Sequence, residues 1–269
     1  MYQLIALDMD GTLLNEDKEI STKTFEAIAS LKAMGKRVVL ATGRPIHGLH
    51  RYLKELDLFD EHDYVVTYNG ALVQSTKDSR ILLDIPLSTN AYIELFELSQ
   101  ELGVHIHALT DRSVLTPKNN PYTEIESTIN RIPIIEGPIS ELSMDTLIVK
   151  VMFVDSPEKL DKAIDNLPNW VRDKYTILRS APYFLEFLDS KVNKGSGVKA
   201  IIKELGLEQS QVICVGDAGN DLAMIEYASL GVAMGNASDE LKNAADYITL
   251  SNSEDGVAHV IDKFMLNKK

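Results

Sequence analysis

Short, continuous apolar runs recur in the first and last thirds of the chain. The first is Leu-Ile-Ala-Leu at residues 4–7, and two acidic residues follow it closely. Comparable runs occupy residues 37–41, 64–67, 211–215 and 230–233. Runs of this length are typical of strands that are buried on both faces of a parallel sheet. Between the runs, apolar residues recur at helical spacing. Strands and helices are therefore expected to alternate, which predicts a doubly wound α/β fold.

The first predicted helix illustrates the helical pattern. Ser21 is a residue type that caps helix N-termini, and Gly35 is one that ends helices. We expect a stripe at helical spacing that contains Phe25, Ile28, Ala29 and Lys32, with Lys32 exposed or snorkelling, and Met34 closes it. That stripe would pack against the sheet.

The middle of the chain has a different pattern. It contains eight of the nine prolines, and its predicted strands (104–108, 147–154 and 181–188) and helices (89–102 and 157–167) do not repeat one simple unit. We therefore expect a separate mixed α/β unit that is inserted into the first domain. The predicted domains are a discontinuous core, residues 1–83 and 190–269, and an inserted unit, residues 84–189.

Composition narrows the possible functions. Acidic residues outnumber Lys and Arg by 40 to 27, which gives a net charge of −13. This charge argues against a nucleic-acid-binding protein and against adhesion to anionic membranes, although it leaves room for a local site that binds an anionic small molecule. The single cysteine, Cys214, lies in an apolar run and permits no internal disulfide. With no secretory signal pattern at the start, we expect a cytoplasmic protein, as a monomer or small homo-oligomer.

Polar clusters follow the apolar runs where the predicted strands end. They are Asp-Met-Asp-Gly-Thr at residues 8–12, Thr-Gly-Arg at 42–44 and Gly-Asp-Ala-Gly-Asn-Asp at 216–221. Lys194 is the first residue of the predicted helix that precedes the strand at 211–215. Ligands of α/β sheets bind outside the carboxyl ends of the strands, so these clusters predict one shared site.

The residue types in this predicted site suit phosphoryl transfer. Hard oxygen ligands for Mg²⁺ are available from Asp8, Asp10, Asp217 and Asp221. Groups that suit a phosphate are available from Thr42, Gly43, Lys194 and Asn220. A carboxylate can itself attack phosphorus, and a second acid can protonate the leaving oxygen. The chain has no Walker sequence for a nucleoside triphosphate.

At these residues the sequence resembles the haloacid dehalogenase-like superfamily of phosphatases. The matching motifs are Asp-x-Asp-Gly-Thr at 8–12, the threonine at 42, the lysine at 194 and Gly-Asp-x-x-Asn-Asp at 216–221. The Tyr-Asn-Gly-Ala segment at 68–71 and the position of the insertion resemble the Cof-type branch with a class IIB cap. That branch includes bacterial sugar phosphatases, and the resemblance extends over most of the chain.

The resemblance implies a role for each matching residue. Asp8 would be the nucleophile and Asp10 the general acid and base. Mg²⁺ would bind the carboxylates of Asp8 and Asp217 and the backbone carbonyl of Asp10, while Asp221 would support Lys194 or a metal-bound water. The phosphate would contact the backbone N–H groups of Met9 and Asp10 together with Thr42, Gly43, Lys194 and Asn220. Residues 84–189 would form a mobile cap over a small phosphorylated substrate.

Several residues have a second interpretation. Arg44 could hold the phosphate or form an ordinary ion pair, and Asn69 and Glu186 are further candidates for substrate or hinge contacts. His105 and His107 would share one face of a strand, and we expect a surface or cap-face role for them rather than a metal site.

Two alternative functions use the same predicted site. A phosphomutase would return the phosphoryl group from Asp8 to a sugar. A phospho-aspartate receiver would hold the group on Asp8 as a switch without turnover, but such a switch has no need of Asp10 as an acid.

Overall fold

The protein is described here from a computed structural model that covers residues 1–266. Two units can be distinguished by their internal contacts. The first joins Met1–Asp84 to the chain from Asn193 onward, and the second is Ile85–Val192.

The strands, in chain order within the described residues, are β1 (Leu4–Leu7), β2 (Arg37–Ala41), β3 (Tyr64–Thr67), β4 (Leu72–Ser75), β5 (Ile81–Asp84), β6 (His105–Leu109), β7 (Val114–Thr116), β8 (Ile134–Glu136), β9 (Lys150–Val154), β10 (Tyr175–Ala181), β11 (Phe184–Asp189), β12 (Val212–Gly216), β13 (Leu230–Ala233) and β14 (Tyr247–Ile248). The α-helices are α1 (Thr22–Ala33), α2 (His50–Glu55), α3 (Thr89–Leu102), α4 (Pro121–Asn130), α5 (Pro157–Asp165), α6 (Asn169–Lys174), α7 (Lys194–Glu204), α8 (Leu222–Tyr227), α9 (Asp239–Ala244) and α10 (Gly256–Phe264). None of these helices combines the length and the apolar character that a membrane span requires.

The first unit is built on an eight-stranded sheet in the order β14-β13-β12-β1-β2-β3-β4-β5. The strands from β14 to β3 are parallel, and every residue of β1 and β12 is buried. These features confirm the predicted doubly wound α/β fold. Strands β4 and β5 each pair antiparallel with the strand before them, because the turn at Tyr68–Gly70 and the short connection 76–80 leave too little chain for a crossover.

Helix α1 starts where the sequence predicts, but a different face of it is buried. Ser21 caps it by accepting a hydrogen bond from the backbone N–H of Thr24. The buried residues are Thr24, Ala27, Ile28 and Leu31, whereas Phe25 is 40% exposed and Met34 is 58% exposed. The predicted stripe is therefore confirmed at Ile28 and wrong at Phe25, Ala29 and Met34. Each residue turns the helix by about 100°, so Phe25 lies well outside the arc that Thr24 and Ile28 define.

The second unit contains a six-stranded sheet in the order β10-β11-β9-β6-β7-β8. Its strands pair antiparallel except β7 with β8. One face holds the apolar core of this unit, where Val151, Phe153 and Phe187 pack with side chains of α3 and α5. Side chains of α4 contact the opposite face, and that face carries His107, which is fully buried.

Candidate active site

Strand pairing in the first unit brings the predicted clusters to one edge of the sheet. Leu7 at the end of β1 lies opposite Val215 of β12 and Leu40 of β2. The backbone N–H of Asp8 then donates to the carbonyl of Val215 at 3.0 Å. The segments that follow β1, β2 and β12 therefore leave the sheet side by side, as the sequence predicts.

Lys194 lies between two aspartates in this edge region. Its Nζ is 2.5 Å from Oδ1 of Asp8 and 2.6 Å from Oδ1 of Asp221. The side chains of Lys194 and Asp221 are fully buried, and that of Asp8 is 9% exposed. Lys194 is the first residue of α7. Asn193 caps the N-terminus of this helix, because its side chain accepts a hydrogen bond from the backbone N–H of Ser196. The helix start thus fixes the lysine beside both carboxylates.

Asp221 is held by the loop that follows β12. Its Oδ2 accepts hydrogen bonds from the backbone N–H groups of Asp217 and Ala218 at 3.0 and 3.1 Å, while its Oδ1 accepts from Lys194. Gly216 permits this arrangement, because a Cβ there would lie 2.5 Å from the Cβ of Asp221. Both carboxylate oxygens of Asp221 already have protein partners, which suits a residue that positions Lys194.

Asp8, Asp217 and Asp221 can each bring a carboxylate oxygen within 4.8 Å of the others. The hydroxyl of Thr12 donates to Oδ1 of Asp217 at 2.8 Å. Burial raises the pKa of Asp8 to about 8, although the charge of Lys194 opposes that rise. Burial alone would lower the pKa of Lys194, but the charges of Asp8 and Asp221 raise it, so the lysine keeps its proton.

This group of carboxylates fits a divalent cation. Two of these carboxyl groups, Asp8 and Asp221, contact the one ammonium group of Lys194, and a cation would stabilise the ionised form of Asp8 that burial disfavours. Hard oxygen donors are the ligands that Mg²⁺ takes. Because the oxygens of Asp221 are engaged by Lys194 and backbone N–H groups, Asp8 and Asp217 are better placed than Asp221 to bind such an ion.

Asp10 points to different partners. Arg44 donates to it from Nε at 2.8 Å and from Nη2 at 2.6 Å, and Lys18 donates from Nζ at 2.8 Å. Burial alone would raise the pKa of Asp10, but these hydrogen bonds hold it below its usual value. Asp10 is therefore ionised in this arrangement, and Arg44 forms the ion pair that was one of its two interpretations.

The remaining predicted residues surround Asn69. Thr42 accepts from the backbone N–H of Arg44 at 3.2 Å, and Asn220 donates from Nδ2 to Oδ1 of Asn69 at 3.0 Å. A Cβ on Gly43 would lie 3.1 Å from Nδ2 of Asn69. Asn69 is buried with a positive φ of 57°. Asn69 thus contacts both the segment of Gly43 and the segment of Asn220, which are predicted to bind phosphate. The Asn-Gly sequence shortly after β3 is the feature of the sequence that indicates this turn.

Met9 has its side chain fully buried in the core, so its backbone is what it can offer a ligand. Its carbonyl accepts from the backbone N–H of Leu14 at 2.9 Å, which closes the turn after β1.

Comparison with known proteins identifies the family of this chain. A family model described as haloacid dehalogenase-like hydrolase matches residues 5–261. The Bacillus subtilis protein named "Putative phosphatase YxeH" is 46% identical over 270 residues, which cover 100% of both chains. The 5-amino-6-(5-phospho-D-ribitylamino)uracil phosphatase YitU of the same species is 32% identical over 279 residues, which cover 97% of each chain.

Solved structures agree with the sequence comparison. A haloacid dehalogenase-like hydrolase from Bacteroides thetaiotaomicron has a TM-score of 0.85 and 32% identity, and the match covers 98% of this chain and 100% of that one. A subclass IIB sugar phosphatase matches with a TM-score of 0.78 over 97% of this chain and 98% of its own. At 24% identity, the second match speaks for the fold alone. The chain therefore belongs to the haloacid dehalogenase-like hydrolase family, as its motifs indicate.

Proposed function

We propose that the protein is a cytoplasmic, Mg²⁺-dependent phosphatase of small phosphorylated metabolites, with sugar phosphates as its substrates. The observation that carries the proposal is the buried arrangement of Asp8, Lys194 and Asp221 at the ends of the parallel strands. Relatives over the whole chain are named as phosphatases, which supports the same reaction class. The names do not identify the substrate of this chain.

Asp8 is the proposed nucleophile. One of its carboxylate oxygens forms a bond to phosphorus while the bond from phosphorus to the leaving oxygen breaks, which gives an aspartyl-phosphate. Water then attacks that phosphorus, the bond from phosphorus to the Asp8 oxygen breaks, and inorganic phosphate leaves as the carboxylate is regenerated. Lys194, which Asp221 holds in place, offers positive charge beside the reacting carboxylate.

Asp10 is the proposed acid and base. It donates a proton to the leaving oxygen and later takes one from the attacking water. In the structure it is paired with Arg44 and Lys18. To act as an acid, its carboxyl group must leave those partners and take up a proton. Arg44 would thus control when Asp10 becomes available, besides being a candidate phosphate contact.

The proposal extends to the other groups that the sequence predicts at this edge. A divalent cation bound by Asp8, Asp217 and the Asp10 carbonyl would neutralise charge between the carboxylate and the phosphate. We assign the phosphate to the N–H groups of Met9 and Asp10 together with Thr42, Gly43, Lys194 and Asn220. We assign the choice of substrate to the inserted unit, for which the sequence predicts residues 84–189.

Phosphate release tests this proposal. Wild-type protein is incubated with glucose 6-phosphate, other sugar phosphates and p-nitrophenyl phosphate, with Mg²⁺ or with EDTA. Asp8→Asn is run beside Asp173→Asn, which makes the same chemical change at an exposed position. We expect release that EDTA stops, that Asp8→Asn abolishes and that Asp173→Asn retains.

Other outcomes would overturn the proposal. Formation of glucose 6-phosphate from glucose 1-phosphate without free phosphate would indicate a phosphomutase. A stable phosphoprotein with negligible turnover would indicate a receiver. Continued release by the folded Asp8→Asn protein would refute the role of Asp8 as the nucleophile.

A further inference from the structure

The turn between β3 and β4 has an unusual backbone. Tyr68, Asn69 and Gly70 follow one another with positive φ angles of 49°, 57° and 104°. Glycine adopts such angles freely and asparagine tolerates them, but they are unfavourable for a bulky residue such as tyrosine. Both Tyr68 and Asn69 are buried. Strained backbone of this kind persists only where the surrounding structure holds it, and it is concentrated at functional sites.

The turn is fastened to the loop that follows β2. The backbone N–H of Asn69 donates to the carbonyl of Thr42 at 2.9 Å. The backbone N–H of Tyr68 donates to the carbonyl of Arg44 at 3.3 Å. Gly43 lies between these two acceptors, and a Cβ there would approach the amide nitrogen of the Asn69 side chain to 3.1 Å. The backbone of Asn69 is therefore fixed relative to Thr42 and Gly43.

The turn also contacts the start of α7. A Cβ on Gly70 would overlap the carbonyl oxygen of Asn193 and would lie 3.3 Å from the backbone nitrogen of Lys194. A residue with a side chain could not approach this segment so closely. The turn is therefore held from two sides, by the loop after β2 and by the helix that carries Lys194.

The side chain of Asn69 reaches a third segment. Its Oδ1 accepts a hydrogen bond at 3.0 Å from Nδ2 of Asn220, which lies 151 positions further along the chain. A carboxamide nitrogen has two N–H groups that lie in one plane. Because Asn69 holds one N–H of Asn220, the amide plane is restrained and the other N–H keeps its direction. Among the described residues, no group accepts a hydrogen bond from that second N–H, so it can donate to a phosphate oxygen.

We propose that Asn69 is a positioning residue for phosphate binding, which acts by orienting the amide of Asn220. Its backbone is anchored beside Thr42 and Gly43, and its side chain holds Asn220. Donors from the loops after β2 and β12 therefore keep a fixed separation. The inference rests on the proposed phosphatase function, in which these three residues bind the phosphate, and it adds the residue that aligns them.

Two substitutions remove the amide of Asn69 in different ways. Asn69→Gly leaves a residue that adopts positive φ freely, whereas Asn69→Ala leaves one that does not. Asn69→Ala should therefore unfold at a lower urea concentration than Asn69→Gly. Ser79→Gly is the matched control, because Ser79 also has a positive φ, of 59°, but is exposed in the turn between β4 and β5. Strand β4 pairs antiparallel with β3, so that turn lies at the opposite end of β4 from Asn69.

The measured quantity is the Kd for inorganic phosphate. Thermal unfolding with Mg²⁺ at increasing phosphate concentrations gives this Kd from the stabilisation of the folded state. We expect Asn220→Ala to raise the Kd about 10-fold, because a hydrogen bond to a charged group is lost. Asn69→Gly and Asn69→Ala should each raise it about 10-fold as well, although they differ in stability. Ser79→Gly should keep the wild-type Kd.

The double variant Asn69→Gly/Asn220→Ala decides whether Asn69 acts through Asn220. If it does, the double variant raises the Kd about 10-fold, no more than Asn220→Ala alone. A rise of about 100-fold would show two independent effects and would overturn the inference. A rise in Asn69→Ala that is absent in Asn69→Gly would show that the Kd follows stability, and the inference would then be wrong. An unchanged Kd in both single variants of Asn69 would also contradict it.

Phosphate binding needs no turnover, so this inference and the proposed function can fail separately. If wild-type protein releases phosphate from no compound but shows the expected Kd values, the phosphatase proposal fails and the role of Asn69 at a phosphate site is supported. If phosphate release is normal but the Kd values do not follow the expected pattern, the phosphatase proposal stands and the inference fails. If inorganic phosphate does not stabilise wild-type protein, the inference is refuted.

Discussion

Gly11 makes a sharp test of the proposed metal site, because it has no side chain of its own. Its φ is +87°, and a Cβ built there would lie 2.4 Å from Oδ2 of Asp217 and 2.8 Å from its Cγ. Real Cβ atoms essentially never approach a neighbour closer than 3.0 Å, so in Gly11→Ala the carboxylate must retreat by at least 0.6 Å (3.0 − 2.4). The hydrogen bond from Thr12 to Asp217 would be strained by the same movement.

A movement of this size is large for a magnesium ligand. Mg²⁺ requires nearly ideal octahedral geometry at about 2.0–2.1 Å, and metal sites tolerate deviations of about 0.2 Å. Disturbing the support of a metal ligand typically costs about 10- to 100-fold in metal affinity. We therefore expect the Mg²⁺ concentration for half-maximal phosphate release to rise about 10- to 100-fold in Gly11→Ala.

Gly35 provides the matched control. Its φ of +74° is similarly unfavourable for alanine, but no atom lies within 4 Å of the added Cβ. Both variants should lose about 1–2 kcal/mol of unfolding free energy from the backbone conformation alone. Phosphate release is titrated with Mg²⁺, and urea unfolding is measured in parallel. Equal Mg²⁺ dependence in the folded Gly11→Ala, Gly35→Ala and wild-type proteins would refute the assignment of Asp217 as a metal ligand.

Two further predictions concern buried charge. The pKa of His107 is about 3 in the folded protein against 6.5 for an ordinary histidine, so between these values the unfolded state binds the extra proton and stability falls on acidification, by at most about 1.4 kcal/mol per pH unit. Urea unfolding at pH 7 and pH 5 measures this loss of unfolding free energy. The loss should be absent in His107→Gln and present in His105→Gln, and an equal change in unfolding free energy in the two variants would contradict the prediction. Lys194→Met should cost about 3–5 kcal/mol of unfolding free energy because it leaves Asp8 and Asp221 buried without their cation. A loss below about 1 kcal/mol in urea would show that those carboxylates are neutralised in another way.

The core of the fold could be predicted because its strands are buried on both faces. Such strands form continuous apolar runs, and β1, β2, β3 and β13 begin and end where those runs do. The inserted unit was less predictable. Its sheet has one face that carries polar residues such as Lys150 and Glu186, so the apolar runs are interrupted there. Helix α4 was missed although Asn120 and Pro121 form a typical helix start.

For the candidate site, the sequence predicts which residues share an edge but not which partners they choose. Parallel register brings Asp8 and Asp217 together wherever the strands pair in this order. The position of Lys194 between Asp8 and Asp221 depends on helix α7 reaching the edge from far along the chain. The burial of His107 likewise depends on α4, which no pattern around the histidine reveals.

The two acids of the Asp-x-Asp motif show why motif spacing alone cannot assign their protonation states. They are chemically identical and two residues apart, yet burial raises the pKa of Asp8, whereas Arg44 and Lys18 hold the pKa of Asp10 down. The proposed reaction needs the reverse order, with Asp8 ionised and Asp10 protonated. A cation beside Asp8 would stabilise its ionised form, and release of Asp10 from Arg44 would let it take up a proton. The proposed reactive state would therefore require both a bound cation and a movement of Asp10, and neither change alone would prepare the pair of acids for the proposed reaction.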